Sequence, residues 1–195
     1  MIQPKADFVF PIQGKTLPVD HGFVLYSAIC KEIPHFHQSS NVGLGLIRGR
    51  YIGNGILDIS PFSRLKFRFP PTECGKFLGL ADKSLSISGH MIQVGNPHIL
   101  GLKPSVALHS HIVTTKNGND EIRFREEIRK QLTALQIDGQ AFVGERRTMN
   151  VHGKQIVGFS LTVTALNAEE SICLQEVGLG GRRKMGCGFF ESLEE

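Results

Sequence analysis

Residues 141–177, AFVGERRTMNVHGKQIVGFSLTVTALNAEESICLQEV, decide the fold of this chain. Val157, Phe159, Leu161 and Val163 recur at every second position, the period of a strand with one buried face. His152-Gly153 separates two such runs, residues 141–151 and 155–164, and marks a hairpin turn. Asn167-x-x-Glu170 has the spacing of a capping box and opens a short helix that runs to Val177. Strand, hairpin, strand, helix is the centre of a β-α-β-β-α-β unit.

The flanks supply the missing elements. Upstream, residues 106–115 read as a strand, and Asn119-Asp120 caps a long amphipathic helix. Phe124, Ile128, Leu132 and Leu135 share its apolar face, and Arg125, Glu126, Arg129 and Lys130 lie on the other. Downstream, residues 186–190 supply a last strand.

The first half of the chain repeats this order. Residues 7–12 form a strand, and Asp20 caps a helix carrying Phe23, Tyr26, Ile29, Cys30 and Ile33, which Pro34 stops. Strands follow at residues 42–48 with 56–59, and at 64–69, where Leu65, Phe67 and Phe69 oppose a cationic face of Arg64, Lys66 and Arg68. Pro70-Pro71-Thr72 starts a second helix with Phe77, Leu78 and Ala81 buried, and strands flank Gly89-His90. The expected fold class is therefore α+β, two tandem ferredoxin-like (RRM-like) domains at residues 1–100 and 101–195. The boundary falls near residues 95–103, where Asn96-Pro97 and Lys103-Pro104 break the periodicity.

Composition narrows the function classes. With 41% hydrophobic and 21% charged residues, the 195-residue chain can build a core. A net charge of +4 permits a polyanionic partner without requiring one. Cys30, Cys74, Cys173 and Cys187 are scattered, so neither a zinc knuckle nor a disulfide framework is expected. The N-terminal residues do not have the pattern of a signal peptide, and no apolar run approaches the roughly 20 residues of a membrane span. A cytoplasmic protein without a cofactor or membrane partner is the expectation.

Between the last helix and the last strand lies Gly178-Leu-Gly-Gly-Arg-Arg-Lys-Met-Gly-Cys-Gly188. Glycines there permit positive φ and bring backbone amides close to a phosphate, which Gly180 and Gly181 are placed to do. Arg182, Arg183 and Lys184 add charge suited to phosphate. The order helix–loop–strand and the lack of Gly-Lys-Ser/Thr exclude a Walker A loop. The plain alternative is a tight turn bearing three solvated cations.

This loop resembles the signature of the repeat-associated superfamily of CRISPR proteins, G-h-G, five residues, G-h-G. Further stretches are similar to its sixth family, the endoribonuclease that cuts precursor CRISPR RNA, and to the MYXAN-type subgroup. They are Leu17-Pro18-x-Asp20-His21-Gly22-x-x-Leu25-Tyr26, Ile47-Arg48-Gly49, Arg146-Arg147-Thr148, Lys154-x-x-Val157-Gly158-Phe159 and Ala168-Glu169-Glu170-Ser171. The resemblance implies two ferredoxin-like domains, binding of a CRISPR repeat hairpin, one metal-independent cut per repeat, and delivery of the product to a multisubunit surveillance complex.

Such a cut needs a base for the 2′-OH and a group to stabilise charge at the phosphate. Histidine suits the first role because its ordinary pKa is near neutrality. Of eight histidines, His35 and His37 lie in a polar loop after the first helix. The resemblance places the catalytic histidine there, and Pro34-x-x-His37 matches the subgroup pattern, with His35 the alternative. Tyr26 is a candidate acid or phosphate partner, or a core residue. Arg48 and Arg50 are candidates to hold the scissile phosphate. His21 either caps the helix or orients substrate. The remaining histidines carry no specific signal. RNA-binding candidates are Gly180, Gly181, Arg182, Arg183, Lys184, Arg146, Arg147, Lys154, Arg129 and Lys130, the last two with Arg125 on one helix face. Two other readings stand beside the nuclease: a non-catalytic CRISPR RNA-binding subunit, and a ferredoxin-like protein-interaction domain.

Overall fold

A computed structural model describes residues 3–193. The first two and last two residues of the expected domains lie outside that range. The chain divides into two compact units, Gln3–Gly101 and residues 102–193.

The first unit runs β1 (Ala6–Gly14), β2 (Thr16–Pro18), α1 (Gly22–Glu32), a 3₁₀ turn (Pro34–His37), β3 (Gly43–Leu44), β4 (Arg50–Gly53), β5 (Ile56–Asp58) and β6 (Arg64–Phe69). Two further 3₁₀ turns (Pro71–Lys76 and Leu78–Leu80) lead to β7 (Ser84–Ile87), β8 (His90–Val94) and β9 (His98–Gly101). The main sheet has the order β3-β6-β1-β8-β7, with β9 also on β1. Every pairing in it is antiparallel. Phe8 and Phe10 of β1 and Phe67 and Phe69 of β6 form its core with Leu25 and Ile29 of α1.

Three expectations change here. The second helix is replaced by 3₁₀ turns, because Gly75 and Gly79 each cost an α-helix about 1 kcal/mol. The turns still deliver Phe77 to the core, stacked on Phe69 at 4.2 Å, whereas Leu78 is exposed. Asp20 is not the cap of α1: the N-cap is His21, with no side-chain cap bond. The pairing of residues 42–48 with 56–59 is absent, since β5 joins β2 and β4 in a separate three-stranded sheet. Arg68, on the cationic face, is buried. It is 2% exposed and opposes Asp7 across the strands, with Nε and Nη2 donating to the two carboxylate oxygens at 2.6 and 2.9 Å.

The second unit runs β10 (Ala107–Val113), α2 (Glu121–Ala134), β11 (Gln140–Val151), β12 (Lys154–Thr164), α3 (Ala168–Val177) and β13 (Glu191–Ser192). Its sheet order, β11-β12-β10-β13, is that of an antiparallel ferredoxin-like sheet. Both expected caps form. Asp120 accepts from the Arg123 amide at 3.1 Å, and Asn167 and Glu170 exchange both bonds of the capping box. His152 and Gly153 both adopt positive φ, as a type I′ hairpin turn requires. Phe124, Ile128 and Leu132 pack on Phe159, Leu161 and Val163. The last strand lies later than expected. Gly186 and Gly188 have φ of +88° and +63°, so residues 186–190 form a buried loop and pairing begins at Glu191.

Candidate active site

Helix α1 turns Tyr26 onto its buried side, and the 3₁₀ turn after it sorts three rings. Phe36 is fully buried against Tyr26, Phe67 and Phe77. Its neighbours His35 and His37 consequently face outward. His37 meets Tyr26, with the phenol oxygen 2.5 Å from Nδ1. His35 sits edge-on to Phe77 at 6.1 Å instead. Burial first, then Cys30 beside it, pushes the Tyr26 phenol up to about 12. The phenol is therefore protonated near neutral pH, and the contact joins two uncharged groups when the imidazole is neutral. Two tautomers satisfy it. In one, Nδ1–H donates to the phenol oxygen, Nε2 carries the lone pair, and the phenolic proton is directed away from Nδ1, on the side of Cys30. In the other, the phenol donates to Nδ1 and Nε2 carries the hydrogen.

His21 is structural. It is 1% exposed; its Nδ1–H donates to the Pro18 carbonyl at 2.8 Å, and Nε2 accepts from the Ile47 amide at 3.0 Å. A carbonyl only accepts, so the tautomer is fixed. This ties the start of α1 to the segment leading into Arg48, whose own carbonyl accepts from Ser63 Oγ at 2.7 Å. The Arg48 side chain is exposed, and Arg50 is paired with Asp58 at 3.1 Å.

Burial lowers the His21 pKa below its ordinary 6.5. The unfolded chain thus binds the proton more readily. Stability from neutral His21 is complete above about pH 6.5 and falls as pH drops from there toward the folded-state value. The melting temperature should decline over that interval in the wild type and decline less in His21→Asn, whose starting value is lower. Parallel profiles for the two proteins would refute the assignment.

The glycine loop is held from inside. The Gly180 amide donates to Gln131 Oε1 at 2.8 Å, Gly181 to the Thr114 carbonyl at 2.9 Å, and Gly188 to the Ile112 carbonyl at 2.7 Å. The expectation that Gly180 and Gly181 present amides to a phosphate is corrected accordingly: their amides are occupied within the unit. Arg183 also folds inward, donating to the Val177 carbonyl, with its guanidinium filling the space beside Gly178. Arg182 projects outward from a left-handed backbone, and Lys184 is half-buried. The glycines serve close packing. A Cβ on Gly188 would lie 2.0 Å from the Leu179 carbonyl oxygen. Gly188→Ala should therefore lower the unit's stability by well over the about 1 kcal/mol of an alanine placed at positive φ. Gly153→Ala, with φ of +77° and open space around it, isolates that conformational cost. Equal shifts on thermal unfolding would remove packing as the reason for Gly188.

Arg146 and Lys154 are exposed on the β11–β12 hairpin, and Arg147 pairs with Glu145 at 2.7 Å. Arg129 and Lys130 are exposed on α2, whereas Arg125 pairs with Glu121 at 2.6 Å. Sequence reading passed over Gln131, whose Nε2 donates to Glu127 at 2.9 Å while its Oε1 holds the glycine loop. Only its place on α2, one turn beyond Glu127, hinted at this. Among the described residues no three His, Cys, Asp or Glu side chains converge as a metal site, and no helix is long and apolar enough to cross a membrane.

Comparison with known proteins matches these features to a family. The family model described as Cas6 matches residues 6–195. A CRISPR-associated endonuclease Cas6 of Myxococcus xanthus (strain DK1622) is 35% identical over 192 residues, covering 95% of this chain and 80% of that protein. A solved structure titled "CRISPR associated protein Cas6" superposes with a TM-score of 0.67 at 14% identity, over 97% of this chain and 99% of the other. One titled "An RAMP protein binding different RNA substrates" gives 0.65 at 14% identity, with the same coverage. The structural likenesses establish the tandem ferredoxin-like fold, and the model match with the Myxococcus relative establishes that this chain belongs to the Cas6 family.

Proposed function

We propose that the chain is a metal-independent endoribonuclease that binds the repeat hairpin of precursor CRISPR RNA and cuts it by attack of a 2′-oxygen. The observation that carries this reading is the exposed His37 set against the phenol of Tyr26 at 2.5 Å. General-base catalysis by His37 uses the tautomer in which Nδ1–H donates to the phenol. Nε2 then takes the proton of the 2′-OH, and the 2′-oxygen bonds to phosphorus. The bond from phosphorus to the 5′-oxygen breaks, and that oxygen leaves with a proton from solvent. The products are a 2′,3′-cyclic phosphate and a 5′-OH. Tyr26 acts by accepting from Nδ1–H and so orienting the imidazole, and Arg48 adds positive charge at the phosphate. Arg182, Lys184, Arg146, Lys154, Arg129 and Lys130 hold RNA phosphates, with Arg147 and Arg183 in supporting positions. The cut RNA and its protein then enter a surveillance complex.

The test is incubation with the host's repeat RNA in EDTA. Cleavage is expected, and replacing the 2′-OH upstream of the scissile phosphate by hydrogen should abolish it. Cleavage that requires a divalent ion, or that survives the deoxy substitution, refutes the mechanism. Binding without cutting identifies a non-catalytic RNA-binding subunit instead.

A further inference from the structure

A cleft of about 620 Å³ opens beside the glycine loop, inside the second unit. It lies between residues 114–119, the start of β12 and the face of α2 that carries Gln131. We propose that this cleft receives one unpaired nucleotide of the bound RNA, with its base read by side-chain amides and its phosphate held by Arg182 and Lys116. The proposal rests on the RNA-binding reading above and deepens it.

The cleft is built rigidly. Gly118 lies so close to β12 that a Cβ there would fall 2.1 Å from the Val157 carbonyl oxygen. The segment around it is held by bonds that include Gly181 N–H to the Thr114 carbonyl at 2.9 Å, Thr114 Oγ1–H to the Gly181 carbonyl at 3.3 Å, Asn117 N–H to Thr115 Oγ1 at 3.2 Å, and Asp120 N–H to the Asn117 carbonyl at 3.0 Å. On the opposite side Gln131 is held at both ends, by Glu127 and by the Gly180 amide. Such walls need little reorganisation on binding.

The lining specifies the occupant. Its volume lies within the range of about 300–1,000 Å³ typical of small-ligand pockets, which suits one nucleotide and excludes a duplex. Asn117, Asn119 and Gln155 each present a planar amide with a donor and an acceptor, the pattern that matches the edge of a base. Ile156 offers an apolar contact for the ring face. Both cations of the lining, Lys116 and Arg182, are exposed at its rim. Its single carboxylate, Glu127, accepts from Gln131. Aromatic rings are absent from the lining, so discrimination comes from hydrogen bonding rather than stacking.

The experiment is a double-mutant cycle between protein and RNA. Repeat RNAs abasic at single positions in the loop and flanking strands are titrated against the full chain. One position should weaken binding about tenfold on loss of its base, as expected for a good base contact. Gln155→Ala should weaken intact RNA similarly, yet leave unchanged the binding of RNA already abasic at that position. Asn119→Ala, also an exposed residue, serves as a second probe. Arg182→Asn keeps a residue that tolerates the left-handed backbone, and should lower the slope of log affinity against log salt by about 0.7. If the losses from Gln155→Ala and from every abasic position simply add, the inference fails while the nuclease reading stands. If wild-type protein does not bind repeat RNA, the parent reading fails and takes this inference with it.

Discussion

His37→Ala should slow cleavage of repeat RNA by about 10²–10⁴-fold, the usual contribution of a positioned general base, while RNA affinity stays close to wild type. The side chain is exposed, so the substitution removes little packing and the protein should still fold. Tyr26→Phe keeps the buried ring and removes only the phenol that meets Nδ1. It should lose part of the rate, with the remaining activity reporting an imidazole no longer oriented. His35→Ala should cut at nearly the wild-type rate, because the His35 ring packs on Phe77 rather than on Tyr26. Single-turnover kinetics on the three variants decide the matter. A slow His35→Ala beside a fast His37→Ala would reverse the assignment.

The second large effect concerns stability. Asp7→Ala should destabilise the first unit by about 3–5 kcal/mol, the typical result of leaving a buried charge without its partner. Arg68 is 2% exposed and Asp7 grips it through both carboxylate oxygens. The double change Asp7→Leu with Arg68→Met should cost less than Asp7→Ala alone, since it removes both charges and keeps apolar volume. Chemical denaturation of the three proteins makes the comparison. A loss below about 1 kcal/mol for Asp7→Ala would place the pair among the weak surface bridges.

Arg68 also illustrates where sequence reading stopped. Alternation in residues 64–69 identified the apolar face correctly, with Leu65, Phe67 and Phe69 all buried. For the cationic face, strand periodicity carries no information about what covers the second side of a sheet. The ion pair depends on register, which puts Asp7 directly across from Arg68, 61 residues away. Features governed by neighbouring residues were legible: the caps at Asp120 and Asn167, and the left-handed turn at His152-Gly153. So was the order of elements in the second unit. The helix expected at Pro71 failed because two glycines outweighed an apolar pattern that 3₁₀ turns could also bury. At the site, the sequence brought His37 and Tyr26 onto one short list without showing their contact. The glycine loop was the reverse case. Its glycines were recognised, but their role was set by the Thr114, Ile112 and Leu179 carbonyls that approach them, and no local pattern reveals those.

Strand β1 collects all its partners from far along the chain. It pairs with residues 64–69 on one edge, and with residues 92–94 and 98–101 on the other. During synthesis, this strand therefore emerges before any of its partners. Residues 64–69 supply its first mates, and the other edge is filled only once residues 92–101 follow. Before residues 64–69 arrive, Phe8, Phe10 and Ile12 form an apolar strand without a sheet, the kind of segment that chaperones capture. The first unit thus closes in stages, and the docking of residues 98–101 completes the second edge of β1.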